Sequence, residues 1–205
     1  MTTNFEEIVF NSQYHSYTYH GKRLTSVSKT IAPFKPVADW DDVAQKAAVK
    51  DGVSVEEIKA RWKKARLRGS RVHEWIAKYL RDETPVSPDP FLALNTRLPE
   101  MDGFEQFWKA LTVSPTAGLV KHVEWVVGDV ELGIAGTIDA VIAGNDGLLH
   151  LFDWKTGKSF TTENRFARIN PPFADLDDCE LSNYSLQLSL YRLMVELNTP
   201  LELGD

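Results

Sequence analysis

Gly133-Ile-Ala-Gly-Thr-Ile-Asp-Ala-Val-Ile-Ala143, a turn at Gly144-Asn-Asp-Gly147, and Leu148-Leu-His-Leu-Phe-Asp-Trp-Lys155 decide how this chain folds. Val, Ile and Leu dominate both runs and glycine-containing turns bound them, so they read as strands of an antiparallel hairpin. Leu119 to Val127 has the same character, which makes a meander of three strands. In an antiparallel pair the positions facing each other sum to a constant. A turn centred between Gly144 and Gly147 gives a sum of about 291, which puts Asp139 within about one residue of Asp153. A turn near Val130 to Gly133 gives a sum of about 263 and sets Glu124 roughly opposite Asp139. Three acids then form a row across the sheet. Strand alternation places Asp153 and Lys155 on one face, with Trp154 and His150 on the other.

Acids clustered in an apolar sheet repel one another unless a cation neutralises them. A divalent metal is the simplest answer. The plainer alternative is that Asp139 and Asp153 lie near strand ends, solvated or paired with Lys155.

Outward from the sheet, Tyr14 to Leu24 alternates aromatic and polar residues around His20-Gly21, a small hairpin. Thr25-Ser-Val-Ser-Lys29 caps a short helix that ends before Pro33, and Asp39 opens a helix to about Lys50 that Asp51-Gly52 breaks. Ser54-Val-Glu-Glu57 is a capping box. The helix it opens carries apolar or small residues at Ile58, Trp62, Ala65, Gly69, Val72, Ile76 and Tyr79, reaching Leu80 with a bend expected at Gly69. His73 lies on or beside that apolar face. A lone histidine there is more often a core residue than a ligand, but a row of carboxylates nearby favours ligation. Pro85, Pro88 and Pro90 mark a loop, and Gly103 to Leu111 is a short amphipathic helix. After a long polar loop from Gly157 to Leu181, a helix over Tyr184 to Leu197 presents Gln187 and Tyr191 at i and i+4. They are either a polar rim or hydrogen-bonding groups that position a phosphate or a metal-bound water. Leu201 to Leu203 is expected to start a last strand.

The 205 residues hold 23 Lys plus Arg against 29 Asp plus Glu, a net charge of -6. Bulk charge therefore does not attract nucleic acid. A local patch does exist: Lys59, Arg61, Lys63, Lys64, Arg66, Arg68 and Arg71 follow one another without an acid among them. These seven are the local patch that any nucleic-acid role would need. Trp62 and Trp75 beside it are expected to pack in the core rather than stack on bases. One cysteine, Cys179, excludes an internal disulfide and a multi-thiolate metal site. The sequence shows neither a signal peptide nor a membrane-length apolar run, which fits the cytoplasm of a bacterium or phage-infected cell.

Other signals fail. Gly157-Lys158-Ser159 is not a phosphate-binding loop, because position 152 is Phe and not Gly. His73-Glu74 lacks the second histidine of a zinc-protease helix, position 77 being Ala.

Gly69-Ser-Arg-Val-His-Glu74, Gly136-Thr-Ile-Asp-Ala-Val-Ile142, Phe152-Asp-Trp-Lys-Thr-Gly-Lys158 and Gln187-Leu-Ser-Leu-Tyr191 together resemble the motif series of the PD-(D/E)XK nucleases. The likeness is greatest to their RecB-type and mitochondrial-genome-maintenance-exonuclease-like branch, whose opening Ser-Val-Thr segment Leu24 to Ser28 also resembles. The resemblance implies an α/β, restriction-endonuclease-like three-layer fold: a mixed sheet with an antiparallel three-strand meander flanked by helices, and a helical N-terminal part. Residues 1–205 form one nuclease domain on this reading, with 1–112 the hairpin and helices and 113–205 the catalytic sheet and the Gln-x-x-x-Tyr helix.

The resemblance implies Mg²⁺ or Mn²⁺ held by His73, Asp139, Asp153 and the Trp154 backbone carbonyl, with Glu124 auxiliary. It makes Asp139, Asp153, Lys155, Gln187 and Tyr191 catalytic. The implied activity is a metal-dependent DNA exonuclease on single-stranded ends, in recombination, repair or replication. A structure-selective or restriction-like endonuclease and a silent DNA-binding accessory module are the alternatives. Members of the group usually continue past the Gln-x-x-x-Tyr helix into a further strand, so a minimal or truncated version is expected.

Overall fold

The computed structural model describes residues 2–82, 98–112, 119–144, 146–157 and 160–204. Pro85, Pro88 and Pro90 of the expected loop, Asn145 of the hairpin turn and Lys158 of the third motif lie outside these.

A 3-10 turn at Phe5–Glu7 leads into β1 (Ile8–Asn11), β2 (Ser16–Tyr19) and β3 (Lys22–Ser26). The expected hairpin is β2–β3. It turns at His20 and Gly21, both in the left-handed region at φ 46° and 77°. β1 had no counterpart in the sequence reading, because its four residues are too few to show a period. It pairs antiparallel with β2. Ser26 caps α1 (Val27–Ile31) by accepting from the Lys29 N–H, and Asp39 caps α2 (Trp40–Asp51) by accepting from Asp41 and Asp42. Gly52 ends α2 at φ 67°. Ser54 caps α3 (Val55–Leu80), which runs 26 residues with no break in helical structure at Gly69. Then follow α4 (Pro99–Leu111), β4 (Leu119–Asp129), β5 (Ile134–Ala143), β6 (Leu149–Phe152) and α5 (Glu180–Asn198).

The N-terminal part is therefore not simply helical. Its three strands join the same mixed six-stranded sheet, where β3 runs parallel to β5 through Thr25↔Ile134 and Ser26↔Ala135. β4 occupies one edge of β5 along most of its length, so β3 and β6 must share the other edge. β3 accompanies β5 only to Ala135. β6, antiparallel, meets it from Ala143 down to Ala140. The carboxyl ends of β3 and β6 thus converge on Gly136 to Asp139, which neither covers. The gap between the two strand ends leaves a crevice beside β5.

Two main clusters line the sheet. Ile138 and Val127 pack with Tyr17, Leu24, Val27, Tyr191, Met194 and Val195, the cluster that holds α1 and α5. Ala140 and Ile142, with Val120 and Val123 against them, pack with Val72, Ile76, Leu80 and Phe104 of α3 and α4. A third, smaller cluster of Ala44, Ala48 and Ile58 fixes α2 to α3, with Trp62 packed on it. Glu124 and Asp139 sit at the seam between the two sheet clusters. The expected last strand shrinks to a single parallel bridge, Leu149↔Leu203. Among the described residues no helix is long and apolar enough to cross a membrane.

Candidate metal centre

The register arithmetic fixes the acids. Trp125↔Ile138 and Val123↔Ala140 bracket Glu124 and Asp139, and the β5–β6 register carried one step past Ala140↔Phe152 brings Asp153 to Asp139. β6 stops at Phe152, so Asp153, Trp154 and Lys155 leave the sheet just as they reach the crevice. α3 presses close there: a Cβ on Gly69 would stand 2.8 Å from Thr156 Oγ1, so this helix position favours glycine.

Asp139 is 8% exposed. Its Oδ2 accepts the Trp154 N–H at 2.6 Å and lies 3.3 Å from His73 Nδ1. The contact seen for Trp154 is thus made by its amide, and its indole packs on Phe104 and Phe107. His73, Glu124 and Asp139 each offer one ligand atom, and those atoms lie within 4.8 Å of one another. Glu124 reaches this position with φ at 53°, a left-handed conformation that a non-glycine residue rarely takes within a strand.

Asp153 is oriented differently. Its Oδ1 accepts from Gln187 Nε2 at 2.9 Å, and its Oδ2 touches the Lys155 ammonium. Gln187 Nε2 also donates to the Tyr191 hydroxyl at 3.3 Å. Tyr191 stands flat against β5, where a Cβ on Gly136 would come within 2.5 Å of its Cε1. The sequence ranked Asp153 as ligand and Glu124 as auxiliary, whereas the structure groups Glu124 with His73 and Asp139 and turns Asp153 to Lys155 and Gln187.

The electrostatics bear the mark of crowded acids. Burial and then the Asp139 charge push the carboxyl pKa of Asp153 up, against the pull of Lys155. Desolvation by the surrounding protein and the Asp139 charge also raise that of Glu124, although the residue is exposed. The hydrogen bond to Asp139 lifts the His73 imidazole in spite of its burial, with the charges of Asp153 and Glu124 adding to it. Burial raises the Tyr191 phenol, which remains a neutral hydrogen-bonding group. Negative charge is in excess here, and the donors are hard oxygens plus one imidazole. A divalent cation fits that set.

A family model for the PD-(D/E)XK nuclease superfamily matches residues 44–204. The chain belongs to the PD-(D/E)XK nuclease superfamily. Neither the curated proteins nor the solved structures searched contain a match. Membership implies a nuclease that uses divalent metal ions and binds nucleic acid, on the mixed, helix-flanked sheet described above.

The seven cations of α3 differ in their surroundings. Lys59 pairs with Asp41 at 2.7 Å, Arg61 with Asp51 and Glu57 at 2.9 and 2.7 Å, and Arg68 with both oxygens of Glu100. The acids come from α2, from α4 and from the first turn of α3 itself. Lys63, Lys64, Arg66 and Arg71 have no ion pair among the described residues. At about 100° per residue, Arg66 lies about 20° from His73 around the helix and Lys63 about 80°, while Lys64 and Arg71 face nearly the opposite way. Trp75 stays in the core against Tyr79 and Phe104. His150 fills the space that Gly144 and Gly204 leave open, a structural position.

Proposed function

We propose that this nuclease is an Mg²⁺- or Mn²⁺-dependent DNA exonuclease that degrades single-stranded ends, working in the cytoplasm in recombination, repair or replication. The observation that carries the reading is the convergence of Glu124, Asp139, Asp153, His73 and Lys155 on the uncovered edge of β5. His73, Glu124 and Asp139 would hold the cation, with Asp153 and the Trp154 carbonyl as further ligands. When bound, it supplies Lewis-acid polarisation of a phosphodiester and a water of lowered pKa. Lys155, as an ammonium, orients that water and stabilises the charge that develops on phosphorus. Gln187 fixes the Asp153 carboxylate, and Tyr191 supports Gln187 from the floor of the crevice.

The likeness to the RecB-type branch supports single-stranded ends as substrate, and the short cationic stripe at Arg66 and Lys63 supports a contact to the phosphate backbone. Linear 5′- or 3′-labelled single strands are expected to be degraded with Mg²⁺ or Mn²⁺, while covalently closed single-stranded circles persist. Cleavage of the circles would overturn the exonuclease reading in favour of an endonuclease.

The helix geometry gives a second test. Arg66→Gln is expected to weaken binding and make the slope of log affinity against log salt shallower by about 0.7, the loss of one single-strand phosphate contact. Lys64→Gln, on the far side of α3, leaves both unchanged. An equal effect from the two substitutions would show that DNA does not follow the His73 face.

A further inference from the structure

Lys155 has a neighbour outside the acid cluster. Its Nζ lies 4.3 Å from the centroid of the Tyr184 ring. Tyr184 stacks in turn on Phe160, with the centroids 6.1 Å apart and the rings 27° from parallel. Tyr184, Gln187 and Tyr191 are spaced by three and four residues, so they share one face of α5. Tyr184 is therefore about 4.5 Å along the helix from the side chain that holds Asp153.

Phe160 is 55% exposed. Exposed aromatics are ordinary when they stand alone on a mobile loop, but this one is fixed. The Thr161 N–H donates to Glu180 Oε2 at 3.1 Å, the Glu180 N–H to Thr161 Oγ1 at 3.1 Å, and the Leu181 N–H to the Thr161 carbonyl at 3.0 Å. Three hydrogen bonds thus clamp the residue after Phe160 to the first turn of α5. The result is an aromatic pair whose outer, solvent-exposed member is Phe160 and whose half-buried member, Tyr184, is joined by one lysine to the reacting centre.

We propose that Phe160 and Tyr184 form a stacking site for the nucleobase next to the phosphate held at the Asp139 centre. The inference rests on the nuclease reading and adds to it a base-recognition element. Every base has a π face, so such a site accepts any sequence but requires an unpaired base. Selection of single strands over duplex would then arise at the crevice itself, independently of the cations on α3. Lys155 over the Tyr184 ring ties the seating of the base to the position of the lysine that faces the phosphate.

The test is binding without turnover. Single-stranded oligonucleotides carrying 2-aminopurine at each position in turn are titrated with the full chain in the presence of a chelator. Fluorescence is expected to be quenched at one or two adjacent positions. Phe160→Leu, which keeps apolar bulk and removes the π face, should abolish that quenching and weaken binding by about 5- to 100-fold, whereas Phe160→Tyr retains both. An abasic nucleotide at the quenched position should weaken the unmodified protein by the same factor and leave the Phe160→Leu variant unaffected. Quenching at no position, or an equal loss for Phe160→Leu on normal and abasic strands, overturns the proposal. Cleavage of labelled DNA with Mg²⁺ or Mn²⁺, measured separately, decides the nuclease reading whatever the fluorescence shows.

Discussion

Lys155→Ala is expected to slow cleavage of linear single-stranded DNA by about 10² to 10³-fold, the range for loss of one charged donor aimed at the transition state. Binding should hardly change. Lys155 touches Asp153 and lies over Tyr184, but it is one cation at the centre and not part of the α3 stripe that is expected to follow the backbone. Asp153→Ala should be as damaging for another reason, since it removes the carboxylate that both Lys155 and Gln187 hold. Asp139→Asn keeps the shape and the acceptor for the Trp154 N–H but withdraws the charge paired with His73. All three should fail in single-turnover experiments at saturating DNA, because they act on the chemical step and not on capture. Gln187→Ala should be milder, since it leaves every charged group in place. Turnover that survives Lys155→Ala or Asp153→Ala would refute this assignment of roles, and a variant that no longer binds DNA would place the residue in recognition instead.

How far the sequence could carry this assignment is clearest at the acids. Antiparallel register obeys simple arithmetic once its turns are located, so Asp139 could be set beside Asp153 and Glu124 from glycine positions alone. That arithmetic assumes ideal extended strands. Glu124 at φ 53° is not extended, and Asp153 lies one residue past the end of β6, so which two carboxylates face His73 was beyond it. The capped helices were legible for a similar reason, because Ser26, Asp39 and Ser54 bond to backbone within three residues.

Partners distant in sequence were not legible. The seven cations of α3 form an acid-free run on paper, yet Glu100 stands 32 residues from Arg68 and Asp41 18 from Lys59. Only the fold brings them together. The parallel join of β3 to β5 was hidden likewise, because a parallel pair needs no turn and leaves no local mark. Phe160 and Tyr184 escaped notice because one sits in an aperiodic segment and the other in the first turns of α5. That helix begins at Glu180, where Thr161 from the preceding segment supplies its cap.

The second large effect expected is on stability. Desolvation and the nearby Asp139 charge raise the carboxyl pKa values of half-buried Asp153 and exposed Glu124, so each binds its proton more tightly in the folded chain than in the unfolded one. Without metal, stability should therefore fall as pH rises from the ordinary carboxylate range through the raised values. A cation that binds the folded state alone reverses this. At one hundred times its dissociation constant it adds about 2.7 kcal/mol, which for a chain of this size corresponds to a rise of about 5 to 10 °C in melting temperature. Glu124→Gln separates the two contributions, because it removes a repelling charge and a ligand together. The variant should melt higher than the unmodified protein in chelator and gain less from Mg²⁺ or Mn²⁺, so that the order of the two proteins reverses as metal is added. Thermal melts across a metal titration read this directly. If Glu124→Gln leaves the metal-dependent increment intact, Glu124 is not a ligand and the cation is held by His73, Asp139 and a reoriented Asp153. On the proposed ligand set, metal affinity and apo stability pull against each other at Glu124, the residue that stands in the left-handed region beside Asp139.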